Sequence, residues 1–292
     1  MPGALVNVAG TTTFGGGVSL SGAATVFSAS GNLNLSGTTG VTGSFDLTLD
    51  GPGNGTLAGG LQTGTGGLLK SGAGTWNLTG SGGTNTGSLV MREGTLNVTG
   101  GSMGALSGIR FGGGQLNLVS GNQTLGDVTI LAGTSSRVAL GAGSVLTLGS
   151  SPVGRGAGSV LSFDLSAGGG AAISSGMAPS VLGYASVTDA GGTGIAYADG
   201  SNIVRLNNFT TLTDSSADSS VNYTTAGMAS NPLLWSNGIT ARSIGSLTFD
   251  ASAGNQVVSL GAVGNVLTLA GGAVQKVGAN DATLVGGQLG AA

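Results

Sequence analysis

The sequence predicts an all-β protein that folds as a right-handed parallel β-helix, a solenoid with coils of about 20 residues and a less regular middle segment. Two observations lead to this fold class. Short strands with one apolar face occur throughout the chain, and one five-residue pattern returns at a constant interval. The right-handed sense follows the usual hand of connections between parallel strands.

The strands are visible as triplets in which a polar residue lies between two apolar ones. Examples are Val18-Ser19-Leu20, Leu33-Asn34-Leu35 and Leu47-Thr48-Leu49, each bordered by residues that favour turns. Such alternation is typical of strands with one buried face. Helical periodicity is nearly absent, because the 62 glycines among 292 residues interrupt almost every segment of ten.

The constant interval appears between residues 74 and 118. GTWNLTG begins at Gly74, GTLNVTG at Gly94 and GQLNL at Gly114, so the pattern recurs every 20 residues. An antiparallel sandwich has no reason to repeat a pentapeptide at fixed spacing, whereas equivalent positions of a solenoid stack one coil apart. If the whole chain coiled at this interval, roughly 14 to 15 coils would form, each about 4.8 Å from the next.

Strand alternation then assigns a role to each position of the pattern. The apolar positions should stack inside the solenoid, and the Asn between them should point outward. The glycines at 74, 94 and 114 should form a corner, where a positive φ or a close neighbouring coil excludes other residues. The expected core stack comprises Trp76, Leu78, Leu96, Val98, Leu116 and Leu118.

The outward row of Asn77, Asn97 and Asn117 has two interpretations. The amides could bind sugar hydroxyls at the surface, or they could hydrogen-bond to one another between coils, as amide ladders do in cross-β assemblies. We favour the ladder. Either way, the row is the surface feature that the repeat predicts most directly.

The chain divides into three parts by its texture. Residues 1–167 should form regular coils, 168–242 an irregular or decorated segment, and 243–292 returning coils. The middle part and its flanks concentrate side chains that could form a site. The aromatic ones are Tyr184, Tyr197, Tyr223 and Trp235, and the acidic ones are Asp189, Asp199, Asp214 and Asp218. The aromatics could form a sugar-stacking patch or cover a core. The aspartates could assemble a calcium site, but the sequence has neither the G-G-x-G-x-D tandem nor the twelve-residue loop of known calcium motifs.

Composition argues against most chemistry. The chain has no Cys and no His, which removes the thiol nucleophile, the proton shuttle near neutral pH and the commonest metal ligand. Asp46 and Asp50 share a strand face but should lie roughly 13 Å apart, too far for a glycosidase pair. Glu93, the only glutamate, follows Arg92 before a corner glycine. We therefore expect no catalytic residues, no bound metal and no cofactor.

Charge and hydropathy limit the partners. The chain has eight Lys and Arg residues, 11 Asp and Glu residues and no basic cluster, so we expect no nucleic-acid partner on electrostatic grounds. The start, MPGALVNVAG, lacks the basic and apolar regions of a signal peptide. No apolar run has the length of a membrane helix. We expect no membrane insertion within this segment.

Residues 66–98 resemble the autotransporter-associated β-strand repeat, also called the passenger-associated transport repeat. The segment reads GGLLKSGAGTWNLTGSGGTNTGSLVMREGTLNV, and Lys70, Gly72 and Thr75 are among the residues that match the family pattern. Trp76 replaces the usual Leu, and the polar turn is shortened to residues 84–87. A weaker similarity, GGAVQKVGANDATLVGG, keeps Lys276 and Gly278.

The resemblance implies a segment of a large, exported bacterial passenger protein that is extracellular or displayed on the outer cell surface. The leading hypothesis is a non-enzymatic structural or adhesive segment. Its partners would be glycans, a host or neighbouring cell surface, and further coils of the same parent chain. Two alternatives remain open: a polysaccharide-acting β-helix enzyme with its chemistry in the irregular middle, and a repeat region that assists secretion and folding of the passenger.

Overall fold

The computed structural model describes residues 4–234 and 240–291, and no helix occurs among them. These residues form a parallel β-solenoid of about 13 turns, consistent with a right-handed parallel β-helix, so the predicted fold class is confirmed. The chain divides into two compact units. Unit 1 contains residues 1–178, 187–193 and 199–204, and unit 2 contains residues 179–186, 194–198 and 205–292. The predicted division at residues 168 and 243 stays a prediction.

Unit 1 begins with 21 strands that are mostly two to six residues long. They are β1 (Leu5–Asn7), β2 (Thr11–Phe14), β3 (Val18–Ser19), β4 (Ala24–Ser28), β5 (Asn32–Leu35), β6 (Val41–Thr42), β7 (Leu47–Asp50), β8 (Asn54–Leu57), β9 (Leu61–Gln62), β10 (Leu68–Lys70), β11 (Thr75–Leu78), β12 (Ser88–Met91), β13 (Thr95–Thr99), β14 (Leu106–Phe111), β15 (Gln115–Ser120), β16 (Asn122–Ile130), β17 (Ser135–Leu140), β18 (Val145–Leu148), β19 (Gly154–Arg155), β20 (Val160–Asp164) and β21 (Ala172–Ser175).

The later strands follow the point where the two units begin to alternate along the chain. They are β22 (Ser180–Asp189), β23 (Gly192–Ala198), β24 (Ile203–Arg205), β25 (Thr210–Thr211), β26 (Asn222–Thr224), β27 (Leu233–Leu234), β28 (Ala241–Asp250), β29 (Gln256–Ser259), β30 (Val266–Val277), β31 (Ala282–Val285) and β32 (Gln288–Ala291).

Each coil of unit 1 contributes one strand to each of two parallel sheets. Sheet A runs in the order β1-β4-β7-β10-β12-β14-β16-β18-β21, and β19 also pairs with β16. Sheet B runs in the order β2-β5-β8-β11-β13-β15-β17-β20. A third sheet, β3-β6-β9, covers the third side of the first coils. The buried apolar side chains of both sheets form the core, which lies between sheets A and B.

The length of a coil varies more than the 20-residue interval predicts. Trp76 pairs with Leu96 and Leu96 with Leu116, at the predicted interval. Elsewhere one coil takes 19 residues, from Ile109 to Val128, and another takes 27, from Val145 to Ala172. Longer coils explain why the described residues make about 13 turns rather than 14 or 15.

Two connections within a coil differ in how far they vary. The corner from sheet A to sheet B holds three residues between β7 and β8 and four between β10 and β11. The return from sheet B to sheet A holds nine residues between β11 and β12 but one between β15 and β16. The changes in coil length in this part of unit 1 are therefore absorbed on the return side.

The repeated pattern lies in register across β11, β13 and β15. Trp76, Leu96 and Leu116 are paired and buried, with exposed fractions of 2% or less. Leu78, Val98 and Leu118 form a second buried column two places along each strand. The structure thus places all six residues of the predicted core stack inside.

The corner glycines are required for two different reasons. Gly94 and Gly114 have positive φ angles of 65° and 74°, as predicted. Gly74 does not have a positive φ. A Cβ on Gly74 would instead lie 1.9 Å from the carbonyl oxygen of Gly53 in the preceding coil, so close approach excludes a side chain there. In the coil of Gly74 itself, the corner residue with a positive φ is Gly72, at 74°.

The large indole of Trp76 is accommodated by the coil before it. Its neighbour in β8 is Gly55, and a Cβ on Gly55 would lie 2.5 Å from atoms of the indole ring. The Trp76 Nε1 has no hydrogen-bond partner among the described residues, so van der Waals packing in the core fixes the position of the indole. A glycine and a tryptophan therefore share the space that two leucines fill elsewhere in this column.

Unit 2 has its own parallel sheets and its own core. One sheet runs β25-β26-β28-β30-β32 and another runs β27-β29-β31. The buried cluster includes Leu212, Tyr223, Leu247 and Leu267. In these two sheets β25, β26 and β27 are only two or three residues long, whereas β28 has ten residues and β30 has twelve.

We expect the Trp76→Ala substitution to lower the free energy of unfolding by about 3 to 5 kcal/mol, because it leaves a cavity where a fully buried indole packed. Urea denaturation followed by circular dichroism measures this change. A loss below ~1 kcal/mol would contradict the buried position of Trp76.

The contact between Gly55 and Trp76 gives a second prediction. Gly55→Ala should destabilise the protein by about 1 to 3 kcal/mol, because the new methyl group overlaps the indole. In the Trp76→Leu background the same substitution should cost less, since the smaller side chain leaves room. A double-mutant cycle measures the difference. An equal cost in both backgrounds would show that the indole is not the obstacle.

Candidate functional site

The three asparagines of the repeat form a hydrogen-bonded ladder on sheet B. Asn97 Nδ2 donates to Asn77 Oδ1 at 2.8 Å, and Asn117 Nδ2 donates to Asn97 Oδ1 at 2.7 Å. Asn77 Nδ2 donates to the carbonyl oxygen of Gly55 at 3.4 Å. Each side chain is half-buried. The amides thus satisfy one another between coils, which supports the structural interpretation of the row; a role in sugar binding stays a prediction.

The ladder belongs to a larger face that carries no charge. Asn34 and Thr56 precede the Asn row in register, and a second column runs through Asn32, Asn54, Thr75, Thr95 and Gln115. Asn54 Oδ1 accepts a hydrogen bond from the Thr75 backbone N–H at 2.9 Å. Sequence analysis missed the earlier members of this face, because the coils that carry them are longer than 20 residues.

The uncharged face ends at an ion pair. Arg137 follows Gln115 in register, and its guanidinium contacts the carboxylate of Asp164. Asp164 Oδ1 also accepts a hydrogen bond from the Ser166 backbone N–H at 2.9 Å. Hydrogen bonds from Ser166, together with Arg137, lower the pKa of Asp164. The carboxylate therefore stays ionised and marks the boundary of the Asn and Thr face.

Three of the middle aspartates cap turns. Asp189 Oδ1 accepts from the Gly191 N–H, Asp199 Oδ1 from the Ser201 and Asn202 N–H groups, and Asp218 Oδ1 from the Ser220 N–H. Within residues 4–234 and 240–291, no three acidic side chains come together as a metal site would require. The aspartates considered for a calcium site thus accept hydrogen bonds in separate turns.

The tyrosines among the four aromatic residues differ in their burial. Tyr223 is buried in the core of unit 2, with an exposed fraction of 7%. Tyr184 is half-buried and interacts with other residues of the structure. Trp235 lies outside the described residues. Tyr197, which is half-buried, lines a pocket of about 400 Å³ with Ser219, Ser220 and Asn222.

Lys70 is a buried charged group that sequence analysis did not assign to any role. It is the last residue of β10 and is 0% exposed. Its Nζ donates to the carbonyl oxygens of Ser71 at 3.1 Å, Gly72 at 2.6 Å and Glu93 at 3.2 Å. The first two belong to the corner of its own coil and the third to the corner of the next. Lys70 therefore ties together two successive corners.

The burial of Lys70 also changes its acidity. Desolvation lowers its pKa from 10.5 to about 8, and this effect outweighs the nearby carboxylates of Asp50 and Glu93, which raise it. A signal for this position was present in the sequence. In Leu68-Leu69-Lys70 strand alternation points Leu69 outward and Lys70 inward, so a buried amine follows from the pattern.

Comparisons with known proteins identify no relative. No family model, no curated protein and no solved structure matches this chain. Among the described residues there is also no helix that is both long and apolar enough to cross a membrane.

The lowered pKa of Lys70 predicts a pH-dependent stability. Between about pH 8 and 10.5 the unfolded chain holds a proton on Lys70 that the folded chain has released. The free energy of unfolding should therefore rise with pH across this range. Urea denaturation at a series of pH values measures the slope.

The Lys70→Met variant isolates this contribution, because it removes the titrating amine. Its stability should rise less over the same range than that of the unmodified chain. Lys276→Met is the matched control, since Lys276 is exposed and its Nζ contacts the carbonyl oxygen of Gly278. Equal slopes in Lys70→Met and the unmodified chain would contradict the assignment.

Proposed function

We propose that this chain is a non-enzymatic structural and adhesive segment of a large exported β-helical passenger protein, located at the bacterial surface or outside the cell. The observation that carries the proposal is the uncharged Asn and Thr face. The amides of Asn77, Asn97 and Asn117 hydrogen-bond to one another between coils, as expected of side chains that reinforce a solenoid. The resemblance of residues 66–98 to the autotransporter-associated repeat supports export and display.

The mechanism of such a segment is mechanical. Each coil in this part of unit 1 pairs with the coils before and after it, so unit 1 would act as a spacer within the parent protein. The ladder and the triple contact of Lys70 both connect adjacent coils, and both resist their separation. The adhesive part of the function would require a separate binding site.

The enzymatic alternative has less support. A site that hydrolyses a glycosidic bond ordinarily needs two acidic groups at a defined distance. Asp189, Asp199 and Asp218 each accept hydrogen bonds from nearby backbone N–H groups of their own turns. Their carboxylates thus have a local structural use, which favours a non-enzymatic role.

Removing one complete coil tests the structural proposal against the secretion alternative. Because Leu68 pairs with Leu89, deleting residues 68–88 should let β12 stack on β7 in register. For a spacer, we expect the epitope-tagged chain in its native host to reach the surface at the normal level and to resist protease there. Cell-surface antibody labelling and protease protection measure both properties.

A deletion of residues 75–78, which removes the sheet B strand β11 of one coil but keeps its sheet A strand β10, is the control. It should destroy protease resistance, because sheet B would then have one strand fewer than sheet A between the same two coils. If the in-register deletion folds normally when purified but no longer reaches the surface, residues 68–88 serve secretion rather than spacing. If the unmodified chain never leaves the cytoplasm, the proposed export is wrong.

A further inference from the structure

Unit 2 contains a pocket at an irregularity in its larger sheet. Ile244 pairs with Leu269, but Ser246 pairs with Ala273, so β30 has two more residues than β28 between the same two pairings. The bulge at residues 270–272 opens the sheet, and Ala270 and Gly271 line the resulting pocket of about 400 Å³. Bulges of this kind often re-aim side chains next to functional sites.

The bulge depends on two glycines. A Cβ on Gly271 would lie 2.8 Å from the Cβ of Val181, and a Cβ on Gly245 would lie 2.7 Å from the carbonyl oxygen of Val221. The strands can therefore approach the pocket only because both positions lack a side chain. Its size is that of sites for small ligands.

One side of the pocket carries an oriented amide. Asn222 is buried, with an exposed fraction of 6%. Its Oδ1 accepts a hydrogen bond from Ser246 Oγ at 2.8 Å, and its Nδ2 donates to Asn208 Oδ1 at 3.3 Å. An Asn amide has two N–H donors. The second has no acceptor among the described residues, and Asn222 is one of the residues that line the pocket.

The rest of the lining combines hydroxyl groups with apolar surface. Ser219 and Ser220 are exposed at the pocket, and Ser220 Oγ is oriented by a hydrogen bond to Asp218 Oδ1 at 2.7 Å. Pro179, Val181 and the ring of Tyr197 supply the apolar part. None of the hydrogen bonds within the described residues uses the Tyr197 hydroxyl, which leaves it available to a ligand.

The lining has no charged side chain. A phosphate or a carboxylate would find no positively charged side chain in this lining, and burying such a group unpaired is costly. An uncharged sugar suits these groups, because its hydroxyls pair with the amide and the serines while its C–H face packs against the tyrosine ring.

We propose that this pocket binds one or two sugar units of an uncharged glycan. The inference rests on the adhesive part of the proposed function and names its ligand class. Tyr197 would stack on the sugar, Asn222 would donate to one hydroxyl, and Ser219 would contact a second.

Binding of neutral disaccharides to the purified chain tests this inference. The probes are maltose, cellobiose, lactose and N,N′-diacetylchitobiose, with sialyllactose as the charged comparison, followed by saturation-transfer NMR and calorimetric titration. At least one neutral disaccharide should bind, and sialyllactose should bind more weakly than lactose. Tyr197→Ala should weaken binding about tenfold or more, through loss of the stacked ring.

Ser219→Phe provides a variant that leaves the core untouched, because Ser219 is exposed and the new ring would fill the pocket. It should abolish binding, whereas Ser215→Phe, at an exposed serine outside the lining, should not alter it. The inference is overturned if no neutral disaccharide binds, or if Ser219→Phe binds as well as Ser215→Phe. Neither result depends on surface display, so the spacer role is judged separately.

Discussion

The structure depends on the close parallel spacing of successive coils, about 4.8 Å from strand to strand. Every side chain has a neighbour at that distance in the coil before and in the coil after, so a residue must suit the residues above and below it. Gly55 and Trp76 satisfy this condition as a pair, and the asparagines satisfy it by bonding to copies of themselves. In this solenoid, the residue allowed at each position depends on the residues stacked above and below it in the neighbouring coils.

The same condition governs polar groups in the interior. The corner carbonyls of two coils converge where Lys70 ends its strand, and one amine donates to three of them. An apolar residue there would leave those acceptors without this donor. Burial lowers the pKa of this amine, so the residue that connects the two corners also makes the stability of unit 1 depend on pH, in the direction that favours the folded state as the pH rises.

The fold could be predicted from the sequence in the part of the chain where successive coils have equal length. The 20-residue interval from Gly74 predicted the column of Trp76, Leu96 and Leu116 and the outward position of their asparagines. Asn32 and Asn54 lie in the same face but were not recognised, because longer coils shift them out of the interval. The pocket could not be predicted, because Tyr197, Asn222 and Gly271 are far apart in the sequence. They meet beside a bulge that has no recognisable local sequence pattern.

The two connections of each coil differ in how much their length varies, and this difference affects how the sequence can evolve. The corner from sheet A to sheet B keeps three or four residues from β7 to β15, while the return side ranges from one to ten. Insertions and deletions on the return side leave the paired columns in place. New sequence, including loops with new recognition properties, can therefore accumulate there without loss of the scaffold, and a laboratory insertion of a foreign epitope would be best tolerated between β11 and β12.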